Sequence, residues 1–289
     1  MIKECTLCPR NCKALRNNEE GFGFCKMPHT PAICRAALHF GEEPVISGKN
    51  GSGAIFFSGC VLKCIYCQNH EISRQYCGTT ANAVFLAETM KRLENEEAEN
   101  INFVTPTHFA DSIIEALRIY KPNIPIVYNC GGYESVETLK RLEGLVDVYL
   151  PDFKYADGIL SQRYSLAPDY PFVAKRAIAE MYRQTGKPVI ENGILKRGVL
   201  VRHLVLPGNT DNSLRVMDEI YNIFGKNAYV SLMSQFTPNG QCDQKELNRR
   251  VTTYEYQKVI DYMLSLGIEK GFCQDRNSAT NELLPLWNL

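Results

Sequence analysis

The sequence lacks net charge and lacks any long apolar run. Its 32 basic residues balance 32 acidic residues, so the formal net charge at pH 7 is zero. Binding to nucleic acid or to an anionic membrane surface usually relies on an excess of basic residues, so the charge balance gives no strong nucleic-acid signal and no membrane signal. No stretch of about 18 uncharged apolar residues occurs, and we therefore expect no membrane-spanning helix.

The beginning of the chain also lacks the apolar segment of a secretion signal, since it reads Met-Ile-Lys-Glu-Cys. We therefore expect a cytoplasmic protein. Cysteine, in contrast, is abundant, with twelve residues in the chain. Because the cytoplasm keeps thiols reduced, these cysteines predict metal ligation and free thiols, and not disulfides. The 289 residues contain no internal repeat and no linker rich in Ser or Pro, and their 45% hydrophobic content is enough for one large core.

Three cysteines follow a short apolar run at residues 54–57. Cys60, Cys64 and Cys67 are separated by three and then two residues. Three thiolates on one short loop can hold three irons of a cubane 4Fe-4S cluster and leave the fourth iron open to a small molecule, which indicates chemistry and not storage. The alternative is a zinc site with a distant fourth ligand, although the second closely spaced pair that is typical of zinc sites does not follow at the usual distance.

A second group of cysteines lies in residues 1–50, which we predict to form a small cysteine-rich metal-binding module. Its candidate ligands, at spacings of two, three and twelve residues, are Cys5, Cys8, Cys12 and Cys25. Four sulfurs suit a tetrahedral zinc ion or an auxiliary iron-sulfur cluster with full cysteine ligation, and the sequence does not separate the two. A loop with unligated thiols is the third interpretation.

In the second predicted domain, residues 51–289, short apolar runs alternate with longer amphipathic stretches. The predicted strands are 55–58, 101–105, 126–129, 146–150, 199–206 and 228–233. The predicted helices are 83–97, 109–120, 135–143, 170–185, 213–224 and 245–266. Six such units predict an α/β fold, a partial (β/α)6 barrel like a TIM barrel, with the functional loops at the carboxyl ends of its parallel strands.

The cysteine loop, with Tyr66 just before its last cysteine, resembles the radical S-adenosylmethionine (SAM) superfamily, in which the methionyl amine and carboxylate chelate the open iron. Stretches that resemble the branch related to pyruvate formate-lyase activating enzymes are 55–60, 104–108, 127–133, 150–155 and 201–208. The cysteine-rich head looks typical of an uncharacterised subgroup of that branch. The resemblance implies two cofactors, a 4Fe-4S cluster and SAM.

The resemblance also implies residues that bind SAM. Tyr66 would lie beside the adenine, its alternative role being packing beneath the cluster. Thr105 stands in a segment where the superfamily usually has Gly-Gly-Glu against the methionyl amine, and neighbouring His108 is better explained as a helix residue without a ligand role. Asn129, before two glycines, has the place of a ribose contact, and its alternative is a turn residue.

Three charged residues complete the implied site. Asp152 and Lys154 are two apart on an extended segment, so both side chains should project to one face, as a SAM-binding Asp-x-Lys or as an ordinary ion pair. Arg202 suits the methionyl carboxylate because a guanidinium binds a carboxylate in bidentate fashion. His203 would then point to the opposite face of a regular strand.

The resemblance implies an oxygen-sensitive radical SAM oxidoreductase that works under anaerobic conditions. Reductive cleavage of SAM would yield a 5'-deoxyadenosyl radical, and the leading hypothesis is an activase that takes hydrogen from a backbone glycine of a partner, a glycyl-radical protein. An electron donor such as flavodoxin or ferredoxin would be needed. The alternatives are modification of another peptide, a nucleotide or a small molecule, and, from another class, a non-catalytic zinc-binding adaptor.

Overall fold

The computed structural model describes residues 3–17, 19, 21–238 and 243–274. Its strands are β1 (Lys3–Glu4), β2 (Leu15–Arg16), β3 (Ala32–His39), β4 (Ser52–Phe57), β5 (Thr79–Thr80), β6 (Ile101–Val104), β7 (Ile126–Cys130), β8 (Val148–Pro151), β9 (Val189–Glu191), β10 (Ile194–Val199), β11 (Val201–Leu204), β12 (Tyr229–Met233) and β13 (Lys270–Cys273). Its helices are α1 (Pro44–Ser47), α2 (His70–Ser73), α3 (Ala83–Asn95), α4 (Ala110–Ile119), α5 (Val136–Arg141), α6 (Gly158–Ser165), α7 (Tyr170–Thr185), α8 (Thr210–Phe224) and α9 (Thr253–Ser265). The end of the second predicted domain, 275–289, lies outside the described residues. No helix within the described part is long and apolar enough to cross a bilayer.

The predicted partial barrel is confirmed. Strands β4, β6, β7 and β8 pair in parallel within one sheet, and β11, β12 and β13 pair in parallel within another. A parallel bridge between Asp152 and Arg202 joins the two, and the Phe153 N–H donates to the Arg202 carbonyl at 2.8 Å. The six predicted strands therefore lie side by side in one curved wall, to which β13 adds an edge that the sequence did not predict.

Two predicted elements are divided in the structure. The strand predicted at 199–206 contains β11 and only the last residue of β10, and β10 pairs with β9 in a hairpin in which Gly198 adopts a φ of +126°. The helix predicted at 245–266 begins only at Thr253, because Thr252 and Glu255 form a capping box there. Residues Lys245–Asn248 form a separate 3₁₀ turn.

Residues 32–47, the end of the predicted metal-binding module, form β3 and α1, and both elements pack with strands of the barrel. Strand β3 pairs antiparallel with β4 over its whole length. Helix α1 packs its Val45 and Ile46 against Val127 and Val148 on one face of the sheet. Since neighbouring side chains of a strand point to opposite faces, Tyr128 and Tyr149 lie on the other face, against α5 and α7. Helix α1 therefore fills the concave side of the wall, beneath the carboxyl ends of its strands.

The cysteine-bearing head packs against the cysteine loop through two arginines. Arg16 is buried and donates to the carbonyl oxygens of Met27 at 2.9 Å and His108 at 2.8 Å. Arg10 donates to the carbonyls of Val61 and Ser165, both at 2.9 Å. Because Val61, His108 and Ser165 lie outside the head, the head is held at a fixed place behind the loop.

Candidate active site

The three cysteines of the predicted cluster site lie on a tight loop at the carboxyl end of β4. Lys63 adopts a left-handed φ of +54°, and the Cys67 N–H donates to the Cys64 carbonyl at 3.1 Å, which folds the loop back on itself. Burial, reinforced by the neighbouring Cys64, raises the pKa of Cys60 to about 12 and also raises that of Cys67. The thiols therefore lie within electrostatic reach of one another.

Each of the three sulfurs accepts a hydrogen bond. The donors are the Leu62 N–H to Cys60 at 3.3 Å, the Ser165 hydroxyl to Cys64 at 3.0 Å and the Ser73 hydroxyl to Cys67 at 3.6 Å. In the described residues, no three His, Cys, Asp or Glu side chains already stand in a metal-binding arrangement. Three cysteine sulfurs supplied with hydrogen-bond donors nevertheless form the donor set that a 4Fe-4S cluster requires, so the residues fit this group.

A cleft of about 240 Å³ lies beside the loop. The structure brings five of the six predicted SAM-binding residues to its wall, together with two cysteines of the loop: Tyr66, Asn129, Asp152, Lys154, Arg202, Cys64 and Cys67. The loop after β4 positions Tyr66 and the two cysteines, and β7, β8 and β11 position the other four residues, because the carboxyl ends of parallel strands meet at one edge of the wall. The individual roles of these residues stay predictions.

The Arg202 guanidinium is the centre of the polar network in the cleft. Its Nε donates to Asp152 at 3.0 Å, its Nη1 donates to Glu42 at 2.9 Å, and its Nη2 donates to Asn129. His203 faces away, as predicted, and contacts the Phe153 carbonyl at 2.7 Å. Arg202 therefore meets two carboxylates of the protein already, and a methionyl carboxylate would have to share its donors.

Asp152 and Lys154 form a close pair, with Lys154 Nζ 2.5 Å from Asp152 Oδ2. Burial by itself would raise the pKa of Asp152, but the charges of Lys154 and Arg202 hold it below its usual value. Burial would lower the pKa of Lys154, but Asp152 raises it above its usual value. Both side chains therefore stay charged in the cleft, as binding a zwitterionic amino-acid group requires.

Tyr66 is linked to the loop by a chain of hydroxyls. Its hydroxyl lies 2.7 Å from that of Tyr155, which lies 2.7 Å from the Ser165 hydroxyl, the donor to Cys64. The Tyr66 ring also meets Phe236 edge to face, with centroids 6.2 Å apart. This packing and the exposure of Tyr66 to the cleft agree with either of its predicted roles, the adenine contact or support beneath the cluster.

Thr105 is the predicted contact that does not line the cleft. It follows β6 directly and has a φ of +60°, which is uncommon for a β-branched residue, and its N–H donates to the Asn129 carbonyl at 2.9 Å. His108 is buried, with Nε2 2.7 Å from the Ser58 carbonyl, and burial lowers its pKa to about 3. A packed neutral histidine agrees with the expectation that His108 has no ligand role.

The four cysteines of the head differ in burial: Cys8 and Cys25 are buried, Cys5 is half-buried and Cys12 is exposed. Burial has the largest influence on the pKa of Cys8, and together with the smaller influences of Cys25 and Cys5 it raises this pKa to about 12. Burial also raises the pKa of Cys25, with contributions from Cys5 and Cys12. Cys5, Cys8 and Cys25 therefore influence one another electrostatically, and Cys12 influences Cys25, although these described residues do not stand in a ready metal-binding arrangement.

The sequence did not reveal the two acidic residues before α1. Glu42 accepts from Arg202, from Asn129 at 3.0 Å and from Asn102 at 3.2 Å. Glu43 lies close to Arg202 and to the Ser231 hydroxyl. Two acids before a proline indicate a helix start at most, and nothing local to them shows that they enter a barrel.

Comparisons with known proteins complete the description of the site. The family model "Radical SAM superfamily" matches residues 54–220, more than half of the chain. The Uncharacterized protein MJ0674 of Methanocaldococcus jannaschii is 32% identical over an alignment of 276 residues, and the match covers 90% of this chain and 74% of that protein.

Two solved structures of Streptococcus suis SuiB share the fold. SuiB bound to S-adenosylmethionine gives a TM-score of 0.50 at 9% identity, over 75% of this chain and 48% of that chain. SuiB bound to its precursor peptide SuiA gives 0.52 at 8% identity, over 75% and 47%. The chain spans about half the length of SuiB, and at these identities the likeness shows the fold alone. From the family match and the archaeal relative, the chain belongs to the radical SAM superfamily.

Proposed function

We propose that Cys60, Cys64 and Cys67 hold a 4Fe-4S cluster and that the adjoining cleft binds SAM. When bound, this pair would supply the 5'-deoxyadenosyl radical through one-electron cleavage of the sulfonium. The observation that carries the proposal is the position of the three thiols, beside a buried set of charged groups at the carboxyl edge of the barrel. Lys154 would neutralise the methionyl carboxylate, and Asp152 would accept from the methionyl amine.

The test is anaerobic reconstitution with iron and sulfide, then dithionite reduction with SAM, with release of 5'-deoxyadenosine as the readout. Wild-type protein should release it, and Cys64→Ala should not. Cys273→Ser, which changes an exposed cysteine outside the loop, is the control and should retain release. A wild-type protein that binds a full cluster and leaves SAM intact would contradict the proposal, and a colourless protein that contains only zinc would favour a binding adaptor.

For the substrate, we propose a backbone glycine of a partner enzyme, as the resemblance to pyruvate formate-lyase activating enzymes implies. Such an activase transfers one radical per partner chain, so release of 5'-deoxyadenosine should stop at about one per partner and a glycyl radical signal should appear. Continued turnover with a free peptide, nucleotide or small molecule would support the alternative enzyme hypothesis. Fold and cofactor do not decide between them.

A second metal at Cys5, Cys8, Cys12 and Cys25 is also part of the proposal, either zinc or an auxiliary iron-sulfur cluster. The electrostatic influence of Cys5 and Cys25 on Cys8, and of Cys5 and Cys12 on Cys25, supports it. The zinc and iron content per chain should be measured for wild type and for Cys8→Ser. The variant should contain less metal, by the amount that one complete site holds. Equal metal content in the two proteins would contradict it.

For the electron donor, we propose a small acidic protein such as flavodoxin or ferredoxin, acting in the reducing and oxygen-poor cytoplasm. A group of basic residues lies beside the cysteine loop: Arg10, Lys26 and Lys63. Burial lowers the pKa of Lys63, and the nearby charge of Lys26 lowers it further. Such a basic group attracts an acidic partner. SAM cleavage supported by reduced flavodoxin should fall steeply with added salt, whereas cleavage supported by dithionite should change less.

A further inference from the structure

A second hollow adjoins the cleft. It encloses about 310 Å³ and shares with the cleft the residues Gly41, Glu42, Arg202, Met233 and Gln235. Its own walls come from the segment before α1, from β12 and from the end of β13, and they include Phe40, Glu43, Ser231, Phe272 and Gln274. A molecule bound in this hollow would therefore contact a molecule bound in the cleft.

The charged groups around the hollow do not balance. Lys154 and Asp152 pair with each other, and Arg202 is shared between Asp152 and Glu42. With Glu43, three carboxylates face two cations, which leaves a formal surplus of one negative charge. The surplus lies on the side of Glu43, since no hydrogen bond from Arg202 to Glu43 accompanies those to its other partners.

Glu43 has an acceptor without a donor. Its Oε2 is buried and has no hydrogen-bond partner among the described residues, while the Ser231 hydroxyl serves the same carboxyl group. Burial is the largest influence on the pKa of Glu43 and raises it, so the empty hollow favours the protonated carboxyl group, and a cation bound beside Glu43 would favour the ionised one. A buried acceptor left unpaired is destabilising, and a donor supplied by a ligand would remove that cost.

The residues that line the hollow indicate which class of ligand it binds. Phe40, whose side chain is exposed, Phe272 and Met233 offer apolar surface to an aliphatic chain. One unpaired carboxylate oxygen suits the compact charge of an ammonium group, whereas a guanidinium prefers two acceptor oxygens in one plane. An aliphatic chain that ends in a primary ammonium group satisfies both the walls and the charge.

We propose that this hollow binds the alkylammonium group of the substrate, with Glu43 as its carboxylate partner. The inference rests on the proposed function, because it takes the neighbouring cleft as the place of SAM. The hollow would hold this aliphatic chain beside the cleft, as a lysine side chain near the reacting glycine of a partner enzyme or, in the alternative enzyme hypothesis, as part of the reacting substrate itself. The side chain of a lysine and a small free amine share this chemistry.

Binding is tested on the full chain, as purified and after anaerobic reconstitution, with three probes of equal length: pentylammonium, pentanol and pentanoate. Calorimetry should show that pentylammonium binds at least tenfold more tightly than pentanol or pentanoate. Glu43→Gln should weaken pentylammonium binding by at least tenfold, and Glu43→Asp provides a second variant if Glu43→Gln folds poorly. Glu88→Gln, which removes an exposed carboxylate of α3, should leave it unchanged. Equal affinity for all probes, or no effect in the folded Glu43 variants, would overturn the proposal.

A further measurement separates this proposal from the proposed function. Saturating SAM should change the affinity for pentylammonium by less than twofold. Competition between the two would assign the hollow to the methionyl amine of SAM and overturn the inference, while leaving SAM cleavage in place. If SAM is not cleaved but pentylammonium still binds in a way that depends on Glu43, the proposed function is rejected. The assignment of the hollow as an alkylammonium site would then remain.

Discussion

Glu42 Oε2 lies 2.9 Å from Arg202 Nη1, and this contact joins residues 160 apart in the chain. Both side chains are nearly excluded from solvent. The same carboxylate accepts from Asn102 and Asn129, so it connects β6, β7 and β11 from inside the barrel. A segment that precedes the cysteine loop thereby fixes side chains on the opposite part of the wall.

We therefore expect Glu42→Gln to destabilise the protein by about 3 kcal/mol, because it leaves a buried guanidinium with one carboxylate partner. Arg202 and Asn129 would also lose their orientation, so affinity for SAM should fall by about tenfold. Urea unfolding and equilibrium binding of SAM to the reconstituted protein measure the two effects. Glu88→Gln serves as the control, and equal stability of both variants would show that the contact is not a structural centre.

Arg10 gives a second prediction, since it attaches the cysteine-rich head to the barrel. Its guanidinium reaches carbonyl oxygens of Val61 and Ser165 and lies 3.9 Å above the Phe24 ring. Lysine has the charge but not the planar fork, so Arg10→Lys should lose about 2 kcal/mol of the free energy that holds the head in place.

Hydrogen exchange of residues 5–16 measures this loss, which should appear as roughly thirtyfold faster exchange in the head while the amides of β7 are unchanged. Exchange that accelerates equally in both regions would indicate global destabilisation and would contradict a local role for Arg10.

Sequence patterns identified those features that depend on neighbouring residues. The helix predicted at 170–185 has these bounds in the structure, because Pro171 stands in its first turn and Gly186 ends it. Asp152 and Lys154 were found because they follow a buried strand, and strand ends of a parallel barrel carry functional side chains.

Features that depend on distant contacts were not predictable in the same way. Strand β3 has cysteine and alanine in its middle and no clear alternation, and it becomes a strand by pairing with β4. Glu42 contacts Asn129 across 87 residues, which no local pattern encodes. The sequence thus predicts the wall and the residues on its edge, while the carboxylates that fill its concave side follow from tertiary packing.

Ser165 provides a prediction for the electronic properties of the cluster. Its hydroxyl donates to Cys64 Sγ at 3.0 Å, and donors to a ligating sulfur favour the reduced cluster, which carries more negative charge. Loss of one such bond in Ser165→Ala should make the reduction potential about 40 mV more negative, which corresponds to about 1 kcal/mol for one electron.

Potentiometric titration followed by electron paramagnetic resonance measures this shift. Tyr155→Phe removes the next hydroxyl of the chain, 2.7 Å from that of Ser165, and leaves the bond to the sulfur, so its effect should be smaller. A larger shift in Tyr155→Phe would contradict the order of the two effects.

Stability should depend on pH through two groups that act in opposite directions. Burial lowers the pKa of His203 from 6.5 to about 4, so the unfolded chain binds a proton that the folded chain refuses. The stabilising contribution of neutral His203 to the free energy of unfolding is complete above pH 6.5 and is lost as the pH falls. Burial raises the pKa of Glu134 from 4.5 to about 7, so the folded chain keeps a proton that the unfolded chain releases. The contribution of Glu134 is present at low pH and is lost as the pH rises through 7.

Each group changes the free energy of unfolding by about 1.4 kcal/mol per pH unit between pH 6.5 and 5, with opposite sign. His203→Gln should therefore make stability fall less steeply on acidification, and Glu134→Gln should make it fall more steeply. Urea unfolding at pH 6.5, 5.75 and 5 gives the slopes, and the difference from wild type isolates each group from every other titration. If both variants changed the slope in the same direction, one of the two buried groups would carry its proton in the state opposite to that inferred from its burial.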